Sequence, residues 1–284
     1  MGAIGARHGR LLLFFCVCRQ PRQARRSPYN RPAYAASEPD DSPMRDEPTL
    51  SLPWPEARPL EAAFFQRDAL RVAADLLGKV IRHRVDGLWL SARIIETEAY
   101  YGAEKGSHAS LGYTHKRRAL FLEGGHIYMY YARGGDSLNF SAAGPGNAVL
   151  IKSALAWPDT RCTADAIARM LHNNPDRQGR PRSLQTLCSG QTLLCRALGL
   201  KVPDWDARCF DPQRLFVDDI GARPASIIQT TRLGIPTGRD EHLPYRLVEA
   251  EYARHCTRNP LRRGQVAGRD YHCLNNPDSL ETAH

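Results

Sequence analysis

Residues 79–101 constrain the fold more than any other stretch of the chain. Lys79–Val85 and Leu88–Tyr101 are both strand-like, and Asp86-Gly87 stands between them. Asp-Gly is a strong hairpin signal, because the favoured two-residue turn needs positive φ at both central positions. The second strand closes with Ile-Ile-Glu-Thr-Glu-Ala-Tyr-Tyr at 94–101. Side chains alternate along a strand, so Glu96, Glu98 and Tyr100 should project from one face. Alternate acids lie about 6.6 Å apart along a strand. Carboxylates that share a pocket repel, which raises the pKa of one and suits it to activate water. The pattern predicts a site where a carboxylate handles water beside a flat ligand. The plainer alternative is a solvent-facing strand with two charges.

Composition narrows the class. The chain has 284 residues, 42 % hydrophobic and 24 % charged, which is ordinary for a globular protein able to build its own core. The formal net charge is +9. Residues 1–50 hold eight Arg, no Lys and five acids, a net +3, so +6 falls on the remainder. Excess charge spread in this way suits nucleic acid or another anionic surface as well as simple solubility. The eight cysteines form no C-x-x-C pair, and no histidine pair has zinc-like spacing. Reduced thiols are expected, with no metal and no cofactor. Leu11–Cys18 is apolar for only eight residues, far short of the ~20 that span a bilayer.

Two regions follow from the pattern. Residues 1–59 are expected to be a leader and a disordered, Pro/Arg-rich tail without catalytic role, and residues 60–284 a single globular domain. Residues 61–77 place Phe64, Phe65, Ala69, Val72, Leu76 and Leu77 at helical spacing, with Gly78 as a stop. Residues 102–125 read as a long functional loop. His126–Tyr131, Ser137–Ala143 and Ala148–Ala154 read as a meander of strands with Gly-rich connections. Helices are predicted at Ala164–Leu171 and Gln191–Leu198. Further strands are predicted at Arg214–Asp218, Ser226–Thr231 and Tyr245–Val248. The sum is an α+β domain around a curved, mostly antiparallel sheet flanked by helices.

The meander carries aromatics. Tyr128 and Tyr130 share one strand face, and Lys152 sits in an apolar strand, where it either turns inward or snorkels to water. Tyr, Asn and Lys around a carboxylate suit a planar, polar-edged ligand such as a nucleobase.

Eight segments, in order, resemble one family. They are Leu-Leu-Gly-Lys-Val (76–80), Glu-Thr-Glu-Ala-Tyr (96–100), Ile-Tyr-Met-Tyr (127–130), Asn139, Val-Leu-Ile-Lys (149–152), Leu-Cys-Ser-Gly (187–190), Ala-Leu-Gly-Leu (197–200) and Thr-Arg-Leu-Gly-Ile (231–235). Together, from about residue 60 to about 250, they resemble the alkyladenine (3-methyladenine) DNA glycosylases. The resemblance implies a monofunctional enzyme that flips damaged purines out of duplex DNA, hydrolyses the N-glycosidic bond and leaves an abasic site. It implies that Glu98 is the general base. Tyr100 and His108 would form one wall of the base pocket and Tyr130 the other. Asn139 would crowd a guanine 2-amino group, Lys152 would help position Glu98, and the Leu233 carbonyl would hold the water. Lys116, Arg117 and Arg118 would contact phosphates. The implied partner is double-stranded DNA with damaged purines, for a monomer with no membrane association, cytoplasmic and nucleoid-associated if bacterial, nuclear if eukaryotic.

The sequence departs from the family pattern at four places. Arg133 stands where an apolar wedge usually fills the gap left by the flipped base, with Tyr131 as a neighbouring substitute. Lys152 stands where Arg is common and lacks its planar fork. Gly190-Gln191-Thr192-Leu193 replaces a stretch that usually carries a lysine, and the loop from Tyr100 to His108 is one residue shorter. These departures leave a non-enzymatic damage-binding protein as an alternative. A glycoside hydrolase using Glu96 and Glu98 as an acid/base pair is a third reading, with strand spacing compatible with an inverting enzyme.

Overall fold

The structure is a computed structural model that describes residues 57–132, 134–275 and 279–280. Residues 1–56, and with them most of the expected leader and tail, lie outside the described residues. The described chain already pairs before residue 60: Pro59 bridges Asp218, and the Leu60 amide donates to the Val217 carbonyl at 2.8 Å.

Among the described residues, nine strands form one sheet. They are β1 (Val80–Val85), β2 (Leu88–Tyr100), β3 (Ile127–Ala132), β4 (Gly135–Ser141), β5 (Ala148–Ala156), β6 (Leu215–Asp218), β7 (Ile227–Thr230), β8 (Arg246–Glu249) and β9 (Tyr271–Leu274). The main path runs β3-β4-β5-β2-β8-β7-β9, and every pairing of strands is antiparallel. β2 is the spine. One edge pairs with β5 over its length; the other is shared by β1 at its start and β8 further along. The β1–β2 hairpin turns at Asp86 and Gly87, with φ of 49° and 83°, the left-handed values that the sequence signal demands.

Among the described residues, five α-helices accompany the sheet: α1 (Ala62–Phe65), α2 (Ala69–Leu76), α3 (Ala164–Asn173), α4 (Gln191–Leu198) and α5 (Val202–Trp205). The single helix expected over 61–77 is two. Gln66 closes the first, and Asp68 caps the second, its carboxylate accepting from the Leu70 and Arg71 amides at 3.0 and 3.1 Å. β9 and α5 were not expected; both are four residues long, too short for a periodic signal.

The sheet's two faces part company at a pair of register shifts. On β2, Leu90, Ala92 and Ile94 enter the main core, and beyond the shift Ala99 does so, while Thr97 Oγ1 donates to the Ala73 carbonyl of α2 at 2.9 Å. Parity therefore changes between Ile94 and Thr97, where the β2–β5 pairing slips at Ile94/Glu96 and at Glu96/Thr97. Ile95 joins a second cluster with Ile228, Val248, Ala253 and Cys256 on the other face. The second slip leaves Lys152 as the extra residue on β5.

Glu96 lies on that second face, fully buried. Its carboxylate accepts from Arg246 Nε at 2.6 Å, Ser153 Oγ at 2.5 Å and the Thr257 amide at 3.1 Å. An ion pair of this kind is expensive to break, because the surviving charge stays buried. We expect Glu96→Ala to lower unfolding free energy by about 3–5 kcal/mol, measured as a fall in the urea midpoint. Converting both Glu96 and Arg246 to apolar residues should recover much of that loss.

Candidate active site

One cross-strand row builds the site. Register places Tyr128 opposite Asn139, Asn139 opposite Leu150, Leu150 opposite Glu98, and Glu98 opposite Arg246. The row crosses five strands of the sheet. Beside it opens a cleft of about 910 Å³. Tyr100, His108, Tyr128, Tyr130, Asn139, Lys152 and Leu233 all line it, as do Ser189–Leu193 and Thr257. All six binding residues expected from the sequence thus meet at one place.

Glu98 lies directly behind this lining. Its side chain is fully buried, and three residues that line the cleft hold it. The Tyr100 hydroxyl donates to Oε2 at 2.8 Å, and the Leu233 amide donates to Oε1 at 3.0 Å. Lys152 Nζ sits 3.4 Å from Oε1 and 3.5 Å from Oε2. Lys152 therefore turns inward instead of snorkelling. Leu233 engages Glu98 through its N–H, a different atom from the carbonyl that the resemblance assigns to holding the water. Burial, reinforced by Glu98, raises the Tyr100 phenol well above its ordinary value, so it remains a donor. The Arg232 guanidinium covers the Tyr100 ring at 4.5 Å, donates to the Ala99 carbonyl and pairs with buried Glu104.

Glu96 does not share this pocket. Both its oxygens are engaged in the Arg246–Ser153–Thr257 network, so Glu96 and Glu98 cannot act as an acid/base pair. The expectation of two carboxylates facing one cavity is corrected here: one shapes the sheet, the other faces the cleft wall.

The aromatic wall differs in detail from the expectation. His108 and Tyr130 were assigned to opposite walls. Their rings instead meet edge to face, centroids 4.5 Å apart, and Tyr128 stacks on Tyr130 at 5.5 Å. A planar base between parallel rings needs about 7 Å, twice the ordinary contact distance. His108 Nδ1 lies 3.0 Å from the Tyr128 hydroxyl. Asn139 Nδ2 donates to the Tyr128 carbonyl at 3.1 Å. Tyr128, present in the sequence pattern only as a partner of Tyr130 on its strand face, links these two residues.

The loop bearing His108 packs tightly. A Cβ at Gly106 would approach the Arg239 carbonyl to 2.9 Å, so only glycine fits there. In the basic cluster, Lys116 is exposed, whereas the other two have local partners. Arg117 donates to the His108 carbonyl at 3.1 Å, and Arg118 pairs with Asp206 at 3.2 Å. Arg133 lies outside the described residues. Its neighbour Tyr131 is 69 % exposed at the edge of the cleft. Among the described residues, no three His, Cys, Asp or Glu side chains converge as a metal site requires, and no helix is long and apolar enough to cross a membrane.

Known proteins match this chain over the segment that builds the cleft. The family model described as methylpurine-DNA glycosylase matches residues 63–253. The chain belongs to the methylpurine-DNA glycosylase family. Relatives carry the provisional name 3-methyladenine DNA glycosylase. One from Pseudomonas aeruginosa (strain UCBPP-PA14) is 72 % identical over 235 residues, covering 83 % of this chain and 98 % of that protein. One from Pseudomonas syringae pv. tomato is 74 % identical over 212 residues, 75 % of this chain and 95 % of that protein. A more distant one from Rhizobium etli is 37 % identical over 185 residues, 65 % of this chain and 82 % of that protein.

Partial burial of the ring, aided by the nearby Arg117 guanidinium, lowers the His108 pKa below its ordinary 6.5. His108 is therefore neutral at and above that pH, and gains its proton only in more acid solution. In an NMR titration its imidazole should titrate below 6.5, and Arg117→Ala should move the midpoint upward.

Proposed function

We propose that this chain is a monofunctional DNA glycosylase that extrudes alkylated or deaminated purines from duplex DNA and hydrolyses their N-glycosidic bond. The observation that carries the reading is the buried Glu98 carboxylate, held by Tyr100, Lys152 and Leu233 directly behind an aromatic cleft.

A base within a duplex is inaccessible, so it must leave the stack at a cost of a few kcal/mol, least for damaged or mismatched pairs. Stacking on aromatic rings returns about 1–3 kcal/mol per base. The cleft offers Tyr130, Tyr128, His108 and Tyr100 for this purpose. Because His108 and Tyr130 touch in the free protein, a base that enters between them must displace the His108 loop. Electron-rich ring faces favour purines that carry positive charge. Tyr131, exposed at the cleft's edge, and Arg133 are the two side chains placed in sequence to fill the vacated gap. Lys116 is the residue of the 116–118 cluster with the least local commitment, and so the first candidate there for a phosphate.

Glu98 acts as general base. A carboxylate offers about four acceptor positions, and the Tyr100 and Leu233 donors take two. Lys152, at the longest of the three contacts, is the side chain that yields to admit a water. The water oxygen attacks C1′, its proton passes to Glu98, and the electron pair of the breaking bond leaves with the purine nitrogen. An alkylated, cationic purine departs neutral, so it is a good leaving group. Lys152, paired with Glu98, offers no lone pair for attack on C1′. The product is an abasic site on an uncut strand. Asn139 stands where a guanine 2-amino group would crowd it, which biases the pocket against normal guanine.

Glu98→Gln keeps the shape and removes the base. It should retain binding to a lesion duplex while single-turnover excision falls by about 10²–10⁴. The reading fails if the wild-type protein leaves hypoxanthine, ethenoadenine and methylated DNA all intact. Borohydride trapping of a protein–DNA adduct would overturn the monofunctional assignment.

Removing the exposed ring by Tyr131→Ala should weaken lesion-duplex binding by about 1–3 kcal/mol if it occupies the gap, as read by fluorescence anisotropy. Unchanged affinity would leave Arg133 as the candidate wedge.

A further inference from the structure

Beyond the last residue matched by the family model, the chain turns strongly basic. Residues 254–263 read Arg-His-Cys-Thr-Arg-Asn-Pro-Leu-Arg-Arg, with four arginines and no acid. Arg254, Arg258, Arg262 and Arg263 are all exposed. Among the described residues none of the four forms an ion pair. Asp270, which feels Arg262, is already paired with Arg269 at 2.8 Å.

This segment is fastened to the cleft. The Thr257 amide donates to Glu96 at 3.1 Å and to Ser153 Oγ at 3.2 Å. The His255 carbonyl accepts from Ser189 Oγ at 2.7 Å, and the Arg258 carbonyl accepts from Arg246 at 2.6 Å. Cys256 is buried against Ile95. Thr257 itself lines the cleft beside Ser189–Leu193, a stretch without any charged residue. Past this anchor, Asn259 Oδ1 accepts from the Leu261 amide at 2.8 Å, turning the chain into Arg262 and Arg263. The buried Glu96–Arg246 pair thus has a second consequence: it anchors, at an uncharged wall of the site, the backbone of a segment that carries four exposed arginines.

We propose that residues 254–263 form a phosphate-contact surface that grips the DNA backbone flanking the extruded nucleotide. The proposal rests on the glycosylase reading above. Guanidinium groups match phosphate oxygens bidentately. A backbone already pinned by four hydrogen bonds loses less entropy on binding than a free tail. Each phosphate neutralised releases condensed counterions, so the contact is legible in the salt dependence of affinity.

The test measures binding of a hypoxanthine-containing duplex by the full chain across a salt series. Each lost phosphate contact lowers the slope of log K against log salt by about 0.9. The triple variant Arg258→Ala, Arg262→Ala, Arg263→Ala should therefore reduce the slope by about 2–3, with the corresponding triple lysine variant restoring most of it. An unchanged slope overturns the proposal. Should the alanine variant fail to fold, phenylglyoxal labelling of the wild-type arginines decides. Protection of Arg258, Arg262 and Arg263 by duplex at low salt, lost at high salt, supports the surface, and equal labelling with and without DNA refutes it. Excision by the wild type is scored separately. Intact lesions with a responsive slope would sink the glycosylase reading alone, and excision with an unresponsive slope would sink this surface alone.

Discussion

The carboxylate of Glu98, with no exposure to solvent, is the constraint on which the site depends. A buried ion carries a desolvation penalty of several kcal/mol unless geometry and hydrogen bonds offset it. Here the offset comes from three separated parts of the chain: Tyr100 two residues along β2, Lys152 on β5, and the Leu233 amide in the loop after β7. None can satisfy the carboxylate alone. The order of the sheet is what brings them together, with β2 central and its long edge against β5. Any packing that displaced one partner would leave a charge stranded. The same requirement that stabilises the fold therefore fixes the geometry of the group best placed for chemistry.

Glu96 and Glu98 are two residues apart on one strand and equally buried, yet their partners assign them different work. Glu96 receives a guanidinium, a hydroxyl and an amide, and ties the start of the 255–258 segment to the sheet. Glu98 receives a phenol, an ammonium at longer range and an amide, all from residues that line the cleft. Local sequence does not distinguish them. The difference lies in Arg246 and Thr257, more than a hundred residues away, and in the register shifts that set which residues of β5 lie opposite.

This explains how much was legible in the chain beforehand. Strand alternation placed Glu98 and Tyr100 together, because that depends only on backbone pleat, and the 2.8 Å contact between them follows. The meander, its turns and the α3 and α4 helices were legible for the same local reason. The break at Asp68 was not, because helical spacing runs through it, and only its capping bonds reveal the division. Parity on β2 was readable on either side of Ile95 but not across it, since a bulge is a property of two strands and not one. Glu96 and Glu98 keep the same parity after Ile95, and what separates Glu96 from the pocket is its distant partners Arg246, Ser153 and Thr257, which local alternation does not encode. The direct contact of His108 with Tyr130 was also invisible, as it depends on how the 102–112 loop folds back over β3.

That loop is tied to the wall it covers. Arg232 lies over the Tyr100 ring at 4.5 Å and pairs with Glu104, which precedes His108 by four residues. The pair is incompletely satisfied: Arg232 Nε and Glu104 Oε1 are buried without a hydrogen-bond partner. Burial pushes the Glu104 carboxyl above its ordinary value, even though Arg232 acts in the opposite direction. Unpartnered polar atoms weaken a buried pair relative to one that is fully bonded, as around Glu96. The Glu96 network on the sheet thus has both carboxylate oxygens bonded, whereas the Arg232–Glu104 pair on the loop side leaves one atom of each partner without a bond. The less fully bonded of these two pairs is the one beside the loop that carries His108.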